Sequence, residues 1–161
     1  MDLTISSKEK ATQMSEKHML RALEISQKAL PQCQPNPPVG CVLVKNGVIV
    51  AEGYTQSIGG NHAEVEALNA LNESIEGITA YVTLEPCSFV GRTPACADTL
   101  VRSGLKHVVV AMLDPDPRNN GKGIDILRAG GIAVEVLAPP QKVYSVNYSR
   151  VRAYFPLKCP P

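Results

Sequence analysis

The fold follows from one stretch, residues 79–96, which reads TAYVTLEPCSFVGRTPAC. Residues 79–84 are mostly apolar and β-prone, and they predict a strand that ends at Glu85-Pro86. Residues 88–94 are rich in Ser, Gly, Thr and Pro and predict a loop, and a helix is expected from Ala95 to Ser103. A strand, a loop and a helix therefore follow one another, with a cysteine on each side of the loop.

Similar patterns extend in both directions from this stretch. Apolar residues at helical spacing predict a helix from about Ser15 to Ala29, and Asn46-Gly47 is a strong signal for a hairpin turn. The remaining predicted elements are strands at 39–44, 48–53, 107–112 and 132–137, helices at 62–71 and 124–129, and a helical tail within 141–154. Together they predict an α/β fold in which helices cover both faces of a mixed five-stranded sheet, giving three layers, α/β/α.

Composition limits both the size and the partners of this protein. The 161 residues fit a single domain, 1–161, in which we expect residues 1–10 to be flexible and residues 141–161 to form a C-terminal extension. The net charge of +1 argues against a nucleic-acid partner. Residues 1–8 are too polar for a signal peptide, and no apolar run is long enough for a membrane span. We therefore expect a cytoplasmic protein that acts on a small molecule and binds no membrane.

Four residues carry the chemistry. His62, Cys87 and Cys96 offer one imidazole and two thiolates, which can bind Zn²⁺ and leave its fourth tetrahedral position for water. Glu64 lies in the same helical turn as His62 and is expected to be a general base close to the metal. Zinc lowers the pKa of a coordinated water, so the four residues predict hydrolytic deamination of an amidine-like ring carbon. A structural zinc site is the alternative, but such sites usually have four protein ligands.

These residues resemble the zinc deaminase signature H-x-E…P-C-x-x-C, with the difference that eight residues separate Cys87 and Cys96. The wider sequence resembles the deaminase domain of the bacterial riboflavin-biosynthesis deaminase/reductase. The resemblance covers residues 35–40, 59–68, 83–96, 114–117 and 147–158. It implies a cytidine-deaminase-like fold with one Zn²⁺ per chain. The implied activity is removal of an amino group, as ammonia, from a diaminopyrimidinone that carries a phosphoribosylamino group. It also implies a stand-alone deaminase that needs no NADPH and forms a homodimer or larger homo-oligomer.

The resemblance further implies zinc ligation by His62, Cys87 and Cys96 and proton transfer by Glu64. The substrate contacts that it implies are Asn36, Thr55, Ala63, Phe89, Arg92, Asp114 and Asp116. Three of these depart from the family pattern. Thr55 and Phe89 stand where the family usually has histidines, and Asp116 replaces the asparagine of Asp-Pro-Asn-Pro. Phe89 would offer a stacking surface in place of a hydrogen bond. Asp116 would repel a phosphate unless it faces the ribose hydroxyls.

These departures keep alternatives open. The enzyme could deaminate another small base or nucleoside, such as guanine, cytosine or a pyrimidine of specialised metabolism, and a non-catalytic zinc-binding subunit is the alternative from another class. Asn36 could brace its proline-rich loop, and Arg92 could be a solvated charge. Arg118, Asn119 and Lys122 are either phosphate contacts or solvated loop residues. Cys41 is expected in the core, Cys33 and Cys159 as incidental thiols of a loop and the tail, and His18 and His107 outside the metal site.

Overall fold

The computed structural model of this chain describes residues 4–137. Cys159 and the predicted helix within 141–154 lie outside that range. The helices are α1 (Ser7–Ser26), α2 (Ala63–Ala70), α3 (Cys96–Ser103) and α4 (Lys122–Ala129), with a 3₁₀ turn at Gln27–Ala29. The strands are β1 (Gly40–Lys45), β2 (Val48–Tyr54), β3 (Ile78–Val82), β4 (His107–Val110) and β5 (Ala133–Val136). Within residues 4–137 every helix is too short or too polar to cross a membrane.

The five strands form one mixed sheet in the order β2-β1-β3-β4-β5. β1 runs antiparallel to both β2 and β3, whereas β4 runs parallel to β3 and β5. The β1–β2 turn is the predicted one, since Asn46 and Gly47 have φ of 50° and 75°. The prediction of a mixed five-stranded sheet is therefore confirmed.

Helices cover both faces of this sheet, because side chains alternate across each strand. On one face, Val42, Val44, Tyr81 and Val109 pack with α1. On the other face, alternate residues such as Cys41, Leu43 and Val82 pack with α2, α3 and α4. The predicted three-layer arrangement is confirmed, and Cys41 is fully buried in the core as expected.

The first helix is longer than predicted. It begins at Ser7, eight residues before the expected Ser15, with a capping box formed by Ser6 and Glu9. Residues 7–14 are exposed on all sides, so they carry no apolar periodicity that could have revealed their helix. Residues 7–10 lie in this helix, and the flexibility expected of residues 1–10 stays a prediction. The bounds of the other described elements agree with the predictions to within two residues.

Two further predictions concern residues outside the metal site. Cys33 lies in a turn, as expected of a loop thiol, and is fully buried. His107 is exposed at the start of β4, and His18 is buried in α1 beside Tyr81. Neither histidine belongs to the cluster of metal-binding side chains described next.

Candidate metal centre and substrate cavity

Three metal-binding side chains meet where two helices begin. His62 is the N-cap of α2, Cys96 is the first residue of α3, and Cys87 lies in the segment that follows β3. Helix α2 can lie this close to the sheet because Gly53 of β2 has no side chain. A Cβ there would lie 2.3 Å from the carbonyl oxygen of Ala63.

The donor atoms lie close enough together to bind one zinc ion. The Nδ1 atom of His62 is 3.1 Å from the Sγ atom of Cys96 and 3.7 Å from that of Cys87, and all three donors lie within 4.8 Å of one another. Tetrahedral zinc, with Zn–N of about 2.0 Å and Zn–S of about 2.3 Å, needs donors about 3.5 to 3.8 Å apart. The distance from His62 to Cys87 is the one that tetrahedral zinc needs, and the distance from His62 to Cys96 is a few tenths of an ångström shorter. One nitrogen and two sulfurs also match zinc's preference for imidazole and thiolate ligands.

The start of α3 favours the thiolate form of Cys87. The backbone N–H of Cys96 donates a hydrogen bond to the Cys87 sulfur over 3.2 Å. Hydrogen bonds from the Cys96 side chain and from His62 also stabilise the thiolate and lower the pKa of Cys87 well below its usual range. A metal ligand has to be deprotonated, so these contacts prepare Cys87 for metal binding.

Glu64 lies beside this cluster as the second residue of α2, and only 3% of it is exposed. Burial raises the pKa of its carboxyl to about 7, and the negative charge on Cys87 acts in the same direction. A carboxyl with a pKa near neutrality can both take up and release a proton at physiological pH. We call His62, Glu64, Cys87 and Cys96 the metal end of the site.

A cavity of about 530 Å³ opens above the metal end. Six of the seven predicted substrate contacts line it, namely Asn36, Thr55, Phe89, Arg92, Asp114 and Asp116. Ala63 does not line it and is fully buried at the first position of α2. The backbone N–H at that position has no partner within its own helix.

Thr55 helps to shape the cavity through its hydroxyl group. That hydroxyl accepts a hydrogen bond from the backbone N–H of Val39 and donates to the carbonyl of Pro37. It therefore braces the proline-rich loop that carries Asn36, and the residue is almost completely buried. A contact between Thr55 and the substrate stays a prediction.

Asp116 does not stand in the cavity wall as an isolated negative charge. Its carboxylate accepts hydrogen bonds from the guanidinium of Arg118, which holds the pKa of Asp116 below its usual range. The same guanidinium lies over the ring of Phe89, 5.1 Å from its centre. Repulsion of a phosphate by Asp116, as expected from the sequence, is thus offset by a paired cation. We call Phe89, Asp114, Asp116 and Arg118 the loop end of the site.

Arg92 lines the cavity, is exposed and lies near Gly59. Among residues 4–137 it has no carboxylate within ion-pair distance, whereas Arg118 has one. Arg92 is therefore the arginine of the cavity wall whose charge is available to a ligand.

The sequence analysis missed the structural role of two buried residues that support the loop end. Asn119, expected to be a solvated or phosphate-binding residue, is fully buried and hydrogen-bonded to Ser88, Pro86 and Asp114. Glu85, noted only as the end of a strand, accepts four backbone hydrogen bonds. The sequence shows Glu85 only as a charged residue directly after an apolar strand, and this pattern does not indicate which groups bind its carboxylate.

Comparison with known proteins agrees with this geometry. Residues 12–112 match the family described as cytidine and deoxycytidylate deaminase zinc-binding region. The chain belongs to this family. It is 44% identical over 142 residues to a diaminohydroxyphosphoribosylamino-pyrimidine deaminase of Buchnera aphidicola, covering 86% of this chain and 97% of that relative.

Solved structures of this deaminase family share the fold. The chain superposes on RibD of Acinetobacter baumannii with a TM-score of 0.78 and 42% identity, over 88% of this chain and 40% of RibD. It also superposes on a dCMP deaminase of cyanophage S-TIM5 with a TM-score of 0.61 and 29% identity, over 78% of this chain and 98% of that one. The cytidine-deaminase-like fold implied by the resemblance is confirmed.

Proposed function

We propose that this deaminase acts on a diaminopyrimidinone that carries a phosphoribosylamino group, and that it releases the amino group of the ring as ammonia. The observation that carries the proposal is that a buried glutamate and two members of the His-Cys-Cys cluster, His62 and Cys87, line one cavity. The substrate is proposed from the Buchnera relative, which is named as a deaminase of this compound.

The zinc ion would be held by His62, Cys87 and Cys96, one ion per chain, and when bound it lowers the pKa of water. Glu64 takes one proton from the attacking water and passes it to the ring nitrogen. It then takes the second proton from the hydroxyl group formed on the ring carbon and passes it to the leaving amine. A C–O bond forms at the ring carbon and the C–N bond breaks, so water and the amine become a carbonyl group and ammonia. The reaction involves no change of oxidation state and needs no NADPH.

The cavity offers a group for each part of this substrate. The exposed amide of Asn36 can bind the pyrimidine ring edge, and the exposed cation of Arg92 can bind the phosphate. We place Asp114 near the ribose, since a carboxylate accepts hydrogen bonds from hydroxyl groups. We further propose that the enzyme is cytoplasmic and forms a homodimer or larger homo-oligomer.

A second candidate is a deaminase of another small base or nucleoside. The observations that favour it are at the loop end, where the Asp116–Arg118 pair and the Phe89 ring offer little unpaired positive charge. Such a pocket would suit a substrate without a phosphate.

The test is ammonia release by purified, zinc-loaded protein. Its substrates are the phosphoribosylamino compound, the same compound after dephosphorylation, and a panel of cytosine, dCMP and guanine. We expect one ammonia per substrate and the highest kcat/KM with the phosphorylated compound. A higher kcat/KM with a panel member would favour the second candidate. Zinc-loaded protein that releases no ammonia from any of these compounds would contradict the proposal.

A further inference from the structure

Glu85 is a buried carboxylate whose hydrogen bonds all come from distant backbone. Only 3% of the residue is exposed. One carboxylate oxygen accepts from the N–H of Asp114 at 2.9 Å and of Gly121 at 3.0 Å. The other accepts from the N–H of Gly123 at 2.9 Å and of Ile124 at 3.3 Å. No lysine or arginine among residues 4–137 forms an ion pair with it, so backbone N–H groups stabilise its charge.

These four N–H groups mark the two ends of one loop. Asp114 lies four residues after the end of β4, whereas Gly121, Gly123 and Ile124 belong to the start of α4. The positive end of that helix also favours a carboxylate at this position. Glu85 thus fixes both ends of the loop 114–121 to the segment that carries Cys87.

The contact between α4 and this segment is close. A Cβ on Gly123 would lie 2.0 Å from the carbonyl oxygen of Pro86, directly before Cys87. Only glycine therefore lets the start of α4 come near enough for its N–H groups to reach Glu85.

The same contacts continue into the cavity wall. The carboxylate of Asp114 accepts a hydrogen bond from the N–H of Asp116 at 2.9 Å. Asp116 in turn holds Arg118, which lies over Phe89. Asp114, Asp116 and Arg118 are therefore connected to Glu85 through a series of hydrogen bonds, and Arg118 contacts the ring of Phe89. Of the metal ligands, His62 and Cys96 are held instead by the starts of α2 and α3.

We propose that Glu85 is a positioning residue for substrate binding, which sets the place of the loop end relative to the metal end. The part that concerns substrate rests on the proposed function. The part that concerns the loop is independent of it.

The test is Glu85→Gln. Glutamine keeps one oxygen that can accept hydrogen bonds. Its NH₂ group replaces the second carboxylate oxygen and cannot accept the two backbone N–H hydrogen bonds that this oxygen accepts in the wild type. We expect amide hydrogen exchange at Asp114, Gly121, Gly123 and Ile124 to speed up by about tenfold or more, since one lost bond of about 1.4 kcal/mol gives this factor. We expect KM to rise by about tenfold for the same reason, with the zinc content unchanged and kcat within about threefold.

Glu52→Gln is the matched control, because Glu52 is a partly buried carboxylate outside the cavity that accepts two hydrogen bonds from Arg21. It should change neither the exchange of the four amides nor KM. If Glu85→Gln does not fold, Glu85→Asp replaces it and should change both quantities in the same direction by a smaller factor.

Unchanged exchange at the four amides would overturn the proposal, whatever the activity. Faster exchange with KM unchanged, or zinc loss with KM unchanged, would overturn the assignment to substrate positioning. Because exchange is measured without substrate, failure of the proposed deaminase reaction would be seen separately, as wild-type protein that releases no ammonia.

Discussion

The metal end and the loop end form one cavity but are built in different ways. At the metal end, His62, Cys87 and Cys96 are placed by the starts of α2 and α3 and by the end of β3. At the loop end, the buried polar side chains of Glu85 and Asn119 hold the segment between β4 and α4 in place. The difference implies that the reaction and the choice of substrate can change independently.

The largest effect should come from the metal end. Cys96→Ala removes one of the three metal donors, so we expect loss of most bound zinc and a fall in ammonia release of more than about a hundredfold. Even mutation of a residue that only hydrogen-bonds to a metal ligand lowers metal affinity or activity by about 10–100-fold. Zinc per chain and the rate of ammonia release are the measurements. Cys33→Ala is the control, because Cys33 is equally buried but lies outside the metal cluster. Full zinc occupancy in Cys96→Ala would show that the ligand assignment is wrong.

A substitution between the two ends should reduce stability. Gly123→Ala places a methyl group where the Pro86 carbonyl lies, and overpacking of this kind costs about 1–3 kcal/mol. We expect that loss in the free energy of unfolding by denaturant, with zinc still bound. Gly91→Ala, where a Cβ meets nothing within 4 Å, serves as control. Equal stability of both variants would contradict the close approach of α4.

At the loop end the effect should be smaller and specific to the substrate. Asp116→Asn leaves the Arg118 guanidinium without its carboxylate partner. The freed cation should lower KM for the phosphorylated substrate by up to about fivefold, since exposed ion pairs contribute no more than about 1 kcal/mol. The decrease should shrink at high salt and be absent for the dephosphorylated substrate. An equal rise in KM for both substrates would indicate instead that Asp116 contacts the sugar.

The smallest effect should come from outside the cavity. The Arg21 guanidinium holds the pKa of Glu52 below its usual range, so the folded state binds this proton less tightly than the unfolded state. The pair therefore stabilises the fold above the ordinary carboxyl pKa, and this contribution is lost as pH falls through the folded-state pKa. Glu52→Gln should cost less than about 1 kcal/mol at pH 7 and nothing near pH 2. A loss of stability that persists at low pH would contradict this account.

The metal end could be predicted from the sequence because its chemistry is carried by short motifs. His62 and Glu64 are two residues apart, and Pro86-Cys87 and Cys96 flank a single loop. The alternation of strands and helices predicted the sheet and its two covered faces for the same reason, since periodicity is a local property.

The loop end could not be predicted in this way. The bonds of Glu85 join residues 29 to 39 positions apart, and no local pattern reports such contacts. The Asp116–Arg118 pair is close in sequence, but its place over Phe89 depends on how two separate loops meet. The first half of α1 shows the same limit, because exposed helical turns leave no apolar pattern.

The central claim is that Glu64 transfers protons beside the zinc ion but is not one of its ligands. Glu64→Gln tests it, with zinc per chain and ammonia release measured on the same preparation. We predict full zinc occupancy and a rate lower by about 10²–10⁴-fold, the range that general acid–base catalysis supplies. Ammonia release at the wild-type rate would contradict the role of Glu64 in proton transfer. Loss of zinc would contradict the claim that Glu64 is not a zinc ligand.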